Sequence, residues 1–488
     1  MKPHHRRLAA FLGLCLGWMT LSAASAQTPA TPNPPDAPAA PRNPIDPQSS
    51  VRALPSPPDA PAPASASDSA PSPAATQTPV SAAQGPAIQL APEDDDVPMQ
   101  SPILLGDSPK SAARKGGAVS LPRQSQIDVA LDARTKKLRG AAVGGYGEAI
   151  LTAPIGGNNP AVIDLRRTVL FFGYNFTDHI RFFSEVEYEH ALTSGDAGGE
   201  VAIEQAMLDF MFRRYFNIRV GMGVLPVSLI NIYHEPSTFN GAERPDVDLR
   251  IVPSTWQQML AGFYGAVGPV RYQIFVTPGL SASGFSADTG IRGGRQENMV
   301  KTRDVGIVGR LDYSPFLGGN IGVSGYWARA GQGDVSLGDV AVTMAALDTK
   351  LSRFGLTLRG QFSYVYVSEV EGLNRALALS TPSAGPISRH LLGGYVELSY
   401  DLLRLVPHNL GFQLLAFGRY ERTDTQLSVP DSGVGFVRKP GNDRTVYTAG
   451  LTFRPILEVA VKLDYQRRHT EVADSATDQL NAAIAYQF

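Results

Sequence analysis

Apolar residues recur at every second position from Val143 to Phe488, and a chain with a period of two is built of strands rather than helices. In Leu457, Val459, Val461, Leu463 and Tyr465 one parity is apolar, while Glu458, Ala460, Lys462, Asp464 and Gln466 fill the other. Ile180–Leu192 repeats the pattern: Ile180, Phe182, Val186, Tyr188 and Leu192 stand against Arg181, Glu185, Glu187 and Glu189. Leu356–Tyr366 and Leu410–Tyr420 do the same, with Arg359 on the polar side of one and Arg419 on that of the other. Alternation alone fits two architectures. A soluble sandwich turns its polar parity to solvent and pairs its apolar faces in a core. A barrel in lipid does the reverse.

Strand length, connections and the chain end favour the barrel. The candidate strands are 143–150, 162–175, 180–192, 200–212, 217–225, 255–266, 270–278, 302–313, 319–328, 339–350, 354–367, 388–401, 410–421, 444–454, 456–467 and 478–488. Most run longer than the usual ~5–6 residues and match the ~9–11 of a tilted transmembrane strand. Parity is muddled in 162–175, 200–212, 255–266 and 339–350, as bulges would make it. An even number of antiparallel strands can close without leaving an edge. Connections after even-numbered strands are short, as in 175–179 or 267–269, and those after odd-numbered strands are long, as in 226–254, 279–301, 368–387 and 422–443. Short turns on one side and long loops on the other place both chain ends of an outer-membrane barrel in the periplasm. Leu480, Ala482, Ile484, Tyr486 and Phe488 alternate to the last residue, so Tyr486 and Phe488 are the candidate signal for the barrel assembly machinery. Tyr174, Tyr188, Tyr313, Tyr400, Tyr420 and Tyr465 are expected near strand ends, at the headgroup level.

The first residues have a different character. Lys2, Arg6 and Arg7 precede an apolar run, and Ala24-Ser25-Ala26 is a small-residue cleavage site, so 1–26 reads as a signal peptide that takes the one cysteine, Cys15, with it. Residues 27–120 are rich in Pro, Ala, Ser and Asp and too poor in apolar side chains to offset the entropy of ordering; they read as a disordered tether in the periplasm. Within it, residues 27–110 hold nine acidic against three basic residues and are a candidate contact with peptidoglycan. Residues 121–142 form a short lead-in that could be helical. From 111 onward the chain carries 37 basic and 36 acidic residues, so no nucleic-acid partner is expected.

The runs YNFTDHIRFFSEVEYEHAL, GEVAIEQAMLDFMF and HEPSTFNGAERPDVDLRIVPSTW, the last at 234–256, resemble the phosphate-selective porin O and P family, over about Val143–Phe488. The resemblance implies an all-β fold, a 16-stranded antiparallel transmembrane β-barrel, commonly a homotrimer, in the bacterial outer membrane, that passes small anionic solutes such as phosphate. It also implies a ladder of pore arginines and a cluster of loop lysines. Loop 226–254 carries Arg244 and Arg250 but no lysine.

The polar parity nominates the lumen. Arg181, Arg219, Arg271, Arg310, Arg359, Arg419, Arg444, Arg454 and Lys462 oppose apolar neighbours, as do Glu185, Glu187, Glu189, Asp304, Asp312, Glu397, Glu421, Glu458 and Asp464. Separated arcs of opposite sign give a transverse field, and arginine binds phosphate or carboxylate bidentately. The alternative is that each arginine pairs with a neighbouring carboxylate and braces the wall. By resemblance the longest connection, 226–254, folds inward as a constriction, with Tyr233, His234, Glu235, Arg244, Asp246 and Arg250 as its candidate residues; the alternative is a loop packed outside at a subunit contact.

No enzyme, cofactor or metal is expected. His234-Glu235 lacks the second histidine of a zinc helix, because position 238 is Thr, and no S-x-x-K or G-x-S-x-G occurs. The expectation is passive diffusion of small hydrophilic solutes across the outer membrane. Two alternatives stand beside it: a structural barrel anchoring a wall-binding tail, and a lipase-like barrel enzyme.

Overall fold

The computed structural model describes residues 140–156, 159–190, 199–296, 300–406, 411–472 and 477–488. The signal-peptide and tether readings, and the lead-in up to residue 139, lie outside the described residues. Sixteen antiparallel strands form one closed barrel in which each strand pairs with its sequence neighbours and β1 pairs with β16. They are β1 Gly140–Ile155, β2 Val162–Asn175, β3 Ile180–Glu189, β4 Glu200–Arg213, β5 Phe216–Val224, β6 Gln257–Val267, β7 Val270–Pro278 and β8 Val305–Tyr313. The second half comprises β9 Gly319–Arg329, β10 Ala341–Arg353, β11 Leu356–Val367, β12 His390–Asp401, β13 Gln413–Ser428, β14 Asp443–Ile456, β15 Val459–Thr470 and β16 Asp478–Gln487. Short turns join β2 to β3, β4 to β5 and β6 to β7, whereas the connections after β5, β7 and β11 are long, as their lengths in the sequence predict.

Burial decides between the two architectures that alternation leaves open. Along β15, Lys462 and Asp464 are each 1% exposed, while Leu463 between them is 46% exposed. The polar parity therefore faces the lumen and the apolar parity faces out, opposite to a soluble sandwich. The same inversion runs through β8 and β9, where Ile307, Leu311, Ile321, Val323 and Trp327 are exposed and Arg310, Asn320 and Ser324 are buried.

Two of the four strands with muddled parity are bulged. On β4 the register passes from Gln205↔Glu185 to Ile203↔Val186, which skips Glu204 and turns both Glu204 and Gln205 inward. On β2 the register shifts between Glu148↔Arg167 and Ile150↔Asp164. In β10 the cause is different: its alternation is regular, but the inward Val342, Met344 and Ala346 are apolar because the inner wall there packs into the hydrophobic cluster under the long loops. β1 begins at Gly140, inside the expected lead-in, because Gly-Ala-Ala offers no contrast between parities. Tyr420 and Tyr465 lie in mid-strand rather than at strand ends.

The connection from β5 to β6 enters the barrel. Leu225 N–H donates to the Trp256 carbonyl at 2.8 Å, and Asn231 ties both ends together by donating from its side-chain amide to Leu225 and accepting from Trp256 N–H, each at 2.8 Å. Two non-glycine residues with positive φ, Ser228 (64°) and Thr255 (45°), make the sharp bends. Between them lie the helical turns α1 (Leu229–Ile232) and α2 (Val247–Arg250). The helix α3 (Val370–Ser380) belongs to the connection from β11 to β12, and its Val370, Leu373 and Leu377 join the hydrophobic cluster that includes Ile251, Phe285 and Leu391. No helix of the described residues is long and apolar enough to cross a membrane.

Candidate functional site in the barrel lumen

The inward loop, residues 225–256, touches most of the ring. Ser228 N–H donates to Ser324 Oγ on β9 at 3.3 Å, and Gln361 Nε2 on β11 donates to Asp248 Oδ1 at 3.1 Å. Asn240 Nδ2 donates to Glu397 on β12 at 3.0 Å, Asp246 N–H to Glu421 on β13 at 2.6 Å, and Ala242 N–H to Asp464 on β15 at 2.6 Å. Ser237 Oγ donates to Gln487 on β16 at 2.6 Å, and Tyr146 Oη on β1 lies 2.9 Å from His234 Nε2. A segment leaving the wall at β5 thus crosses to the far side of the ring. Tyr233, His234, Glu235 and Arg244 are all buried in the lumen.

Three consecutive carbonyls at the middle of this loop collect cations from three strands. Lys462 Nζ on β15 donates to Pro236 O at 2.6 Å, Arg454 on β14 to Ser237 O at 2.9 Å, and Arg359 on β11 to Thr238 O at 2.7 Å. Lys462 also sits 4.1 Å over the Phe239 ring. Lys350 on β10 is directly opposite Arg359 in the register, and among the described residues it has no hydrogen bond or ion pair. Both Arg359 and Arg454 keep a buried Nε without an acceptor. Like charges directly opposite on a sheet repel, and four buried basic side chains gather at the loop. Lys350 escapes notice in the sequence because the parity of its strand is muddled.

The other lumen arginines are braced by acids. Arg181 and Arg219 share Asp209, at 2.6 and 2.7 Å, near the rim of short turns. Arg419 bonds Glu421 at 2.7 Å and Glu397 at 3.4 Å, and donates to Glu243 O at 3.3 Å. Arg310 on β8 is held by Asp312 at 2.7 Å and, across β9, by Asp348 on β10 at 2.7 Å. It spans the intervening strand because the residue beneath it is Gly322, where any Cβ would overlap the guanidinium. Arg271 lies against Tyr233. Asp246 and Arg250 form an i,i+4 pair at 3.5 Å, and Arg250 leans toward Asp288 at 3.4 Å, outside the buried set. Arg444 also bonds Asp288.

Strands β1 to β4 carry the acidic side. Glu148 takes Arg167 at 2.6 Å, Glu187 is 4.0 Å from the same guanidinium, and Glu185 accepts from Gln205 at 2.6 Å. His234 meets Glu204 at 3.1 Å. Burial works against an imidazolium here, but the Glu204 carboxylate beside it raises the His234 pKa above its ordinary value. Burial, with Arg167 nearby, holds Arg244 down to about 10, and burial pushes Asp248 up to about 6 despite donors from Gln361 and Ser228. At the chain end, Phe488 and Gly145 exchange backbone hydrogen bonds at 2.9 and 3.1 Å, which completes the ring, and the Tyr486 hydroxyl packs over Gly147.

The fold and its site define a class: a closed sixteen-stranded barrel with an inverted polarity and a long loop folded through a mixed-charge lumen. The chain belongs to the family of an uncharacterized protein of Aquifex aeolicus (strain VF5), to which it is 30% identical over 362 residues, covering 72% of this chain and 80% of that one. No family model matches it. Among solved structures it is similar to Salmonella typhi OmpF in complex with daunomycin, at 13% identity with a TM-score of 0.49, over 71% of this chain and 97% of that one. It is also similar to an anion-selective porin from Comamonas acidovorans (10% identity, TM-score 0.47, 72% and 99% covered) and to the outer membrane channel DcaP of Acinetobacter baumannii (12%, 0.43, 71% and 97%).

Proposed function

We propose that this chain is an outer-membrane channel through which small hydrophilic solutes diffuse passively, with anions favoured and phosphate the leading candidate. The exposed apolar parity on every side of a ring without edges suits acyl chains, since a surface of that extent is costly in water. The polar lumen supplies the path, and loop 225–256 sets its width.

The observation that carries the anion preference is that Arg359, Arg454 and Lys462 converge on the loop carbonyls, with Lys350 opposite Arg359 and, among the described residues, no carboxylate in ion-pair contact with any of the four. A permeating anion lowers the mutual repulsion of these cations, whereas a cation must pass the same point against it. Phosphate suits them because two planar guanidinium groups and two ammonium groups can each donate to its oxygens. A homotrimer, recognition of Tyr486 and Phe488 by the assembly machinery, and a periplasmic tether at 27–120 that touches peptidoglycan belong to the same reading.

Purified protein in a planar bilayer under a tenfold KCl gradient tests it: the zero-current potential should take the sign of chloride permeation, and millimolar phosphate should reduce the chloride current. A cation-selective potential, or channels indifferent to phosphate, refutes the anion and phosphate parts respectively.

A further inference from the structure

We infer that Glu185, Glu204 and His234 form a binding site for a divalent first-row transition-metal ion, of the Zn2+ or Mn2+ kind, that pins the inward loop to the wall. The three donor atoms all lie within 4.8 Å of one another, and all three side chains are buried. They come from separate elements, β3, β4 and the loop, so no spacing along the sequence reveals them.

Three features point beyond a cluster of acids. First, Glu204 is inward only because β4 is bulged at that residue; without the skipped pair it would fall on the outer parity. Second, His234 Nδ1 lies 3.2 Å from the Asn231 carbonyl, which places its proton there and turns the Nε2 lone pair toward Glu204 Oε1, 3.1 Å away. This is the outer contact that fixes the tautomer of a ligating histidine. An imidazole nitrogen and a carboxylate oxygen at that distance share a cation, either a proton or a metal ion. Third, Glu187 Oε1 is buried without a hydrogen-bond donor, with the Arg167 guanidinium 4.0 Å away. Glu187 lies two residues from Glu185 on the same inner face, within electrostatic reach of both Glu204 and His234.

A proton between Nε2 and Oε1 serves that one contact and leaves the buried Glu187 oxygen as it is. A divalent ion gathers one nitrogen and two carboxylate oxygens at once and draws in the charge of Glu187. Tyr146 Oη, 2.9 Å from Nε2 and 3.2 Å from Glu204 Oε2, stands by as a further oxygen donor. One imidazole among oxygens suits Zn2+, Mn2+ or Fe2+; Ca2+ and Mg2+ prefer all-oxygen shells.

The test uses the full chain in detergent, stripped with EDTA and exchanged into metal-free buffer. Titration with Zn2+ and with Mn2+ by calorimetry should show about one equivalent bound to the wild type for at least one of them. Glu204→Gln, and separately Glu185→Gln, should weaken that affinity by roughly 10–100-fold. Co2+ in place of the native ion should give visible absorption bands that vanish in His234→Gln. Heat-modifiable gel mobility identifies variants whose barrel is closed, and only those are compared; Val335→Ser, at an exposed loop position, serves as a folded control that keeps the metal. Binding that is absent from the wild type, or equally strong in folded Glu204→Gln and Glu185→Gln, overturns the site and leaves a proton as the cation between His234 and Glu204.

Discussion

Removing Arg310 should destabilise the barrel more than removing both of its partners with it. The guanidinium makes five contacts of 2.7–3.1 Å to Asp312 and Asp348, and all three side chains are buried. Arg310→Met keeps the volume of the stem but leaves two carboxylates facing each other without a cation. Breaking one partner of a buried ion pair costs ~3–5 kcal/mol, whereas replacing the whole set by neutral groups is close to neutral. At a urea slope of ~3 kcal/mol/M, the single variant's unfolding midpoint should fall by about 1–1.7 M. Trp256 packs in the core against Tyr326 with ring centroids 4.6 Å apart, so tryptophan fluorescence in detergent can follow the transition. The variant Arg310→Met/Asp312→Asn/Asp348→Asn should recover most of the loss. A single variant as stable as the wild type, or a triple variant no better than the single one, refutes the brace.

Further outcomes follow from the same contacts. The Asp248 pKa is raised in the folded chain to about 6, so its charged form opposes folding as pH rises from about 4 through 6. Asp248→Asn should therefore be the more stable protein at pH 8, by up to ~3 kcal/mol, with the difference gone at pH 4 in urea titrations. Phe239→Ala, which empties a buried site beside Lys462, should cost ~3–5 kcal/mol and raise single-channel conductance. Gly393→Ala should loosen the loop, because a Cβ there would sit 2.7 Å from Ile251 Cγ1; gentle proteolysis should then cut within 225–256, which the wild type resists. Deleting residues 27–110 should leave bilayer conductance unchanged, and altered conductance would tie the tether to the channel itself.

The fold was legible in the sequence because a barrel with a wet lumen repeats one simple contrast. Leu463 between Lys462 and Asp464 states it in three residues, and the connection lengths state it again. The site was much less legible. Glu204 breaks the parity through a bulge, and a bulge has no residue signature of its own. Lys350 shares its strand's inner face with the apolar Val342, Met344 and Ala346, so the strand lost the contrast that marks a lining position. Tyr146 sits in a run of glycines that carries no pattern. The pairing of Arg310 with Asp348 depends on the register of three strands and on Gly322 between them, and alternation says nothing of register. That the loop at 225–256 turns inward came from family resemblance, and its anchors, Asn231 and the carbonyls of 236–238, are of kinds that no composition marks.

The central claim is that this loop and the cations gripping it set the width and charge of the passage. The most direct measurement compares single-channel conductance and zero-current potential, in the same bilayer, for the wild type and for a variant whose residues 234–246 are replaced by a short Gly-Ser link. The account predicts a severalfold rise in conductance together with loss of anion preference. Unchanged conductance and unchanged selectivity in the shortened protein would contradict it.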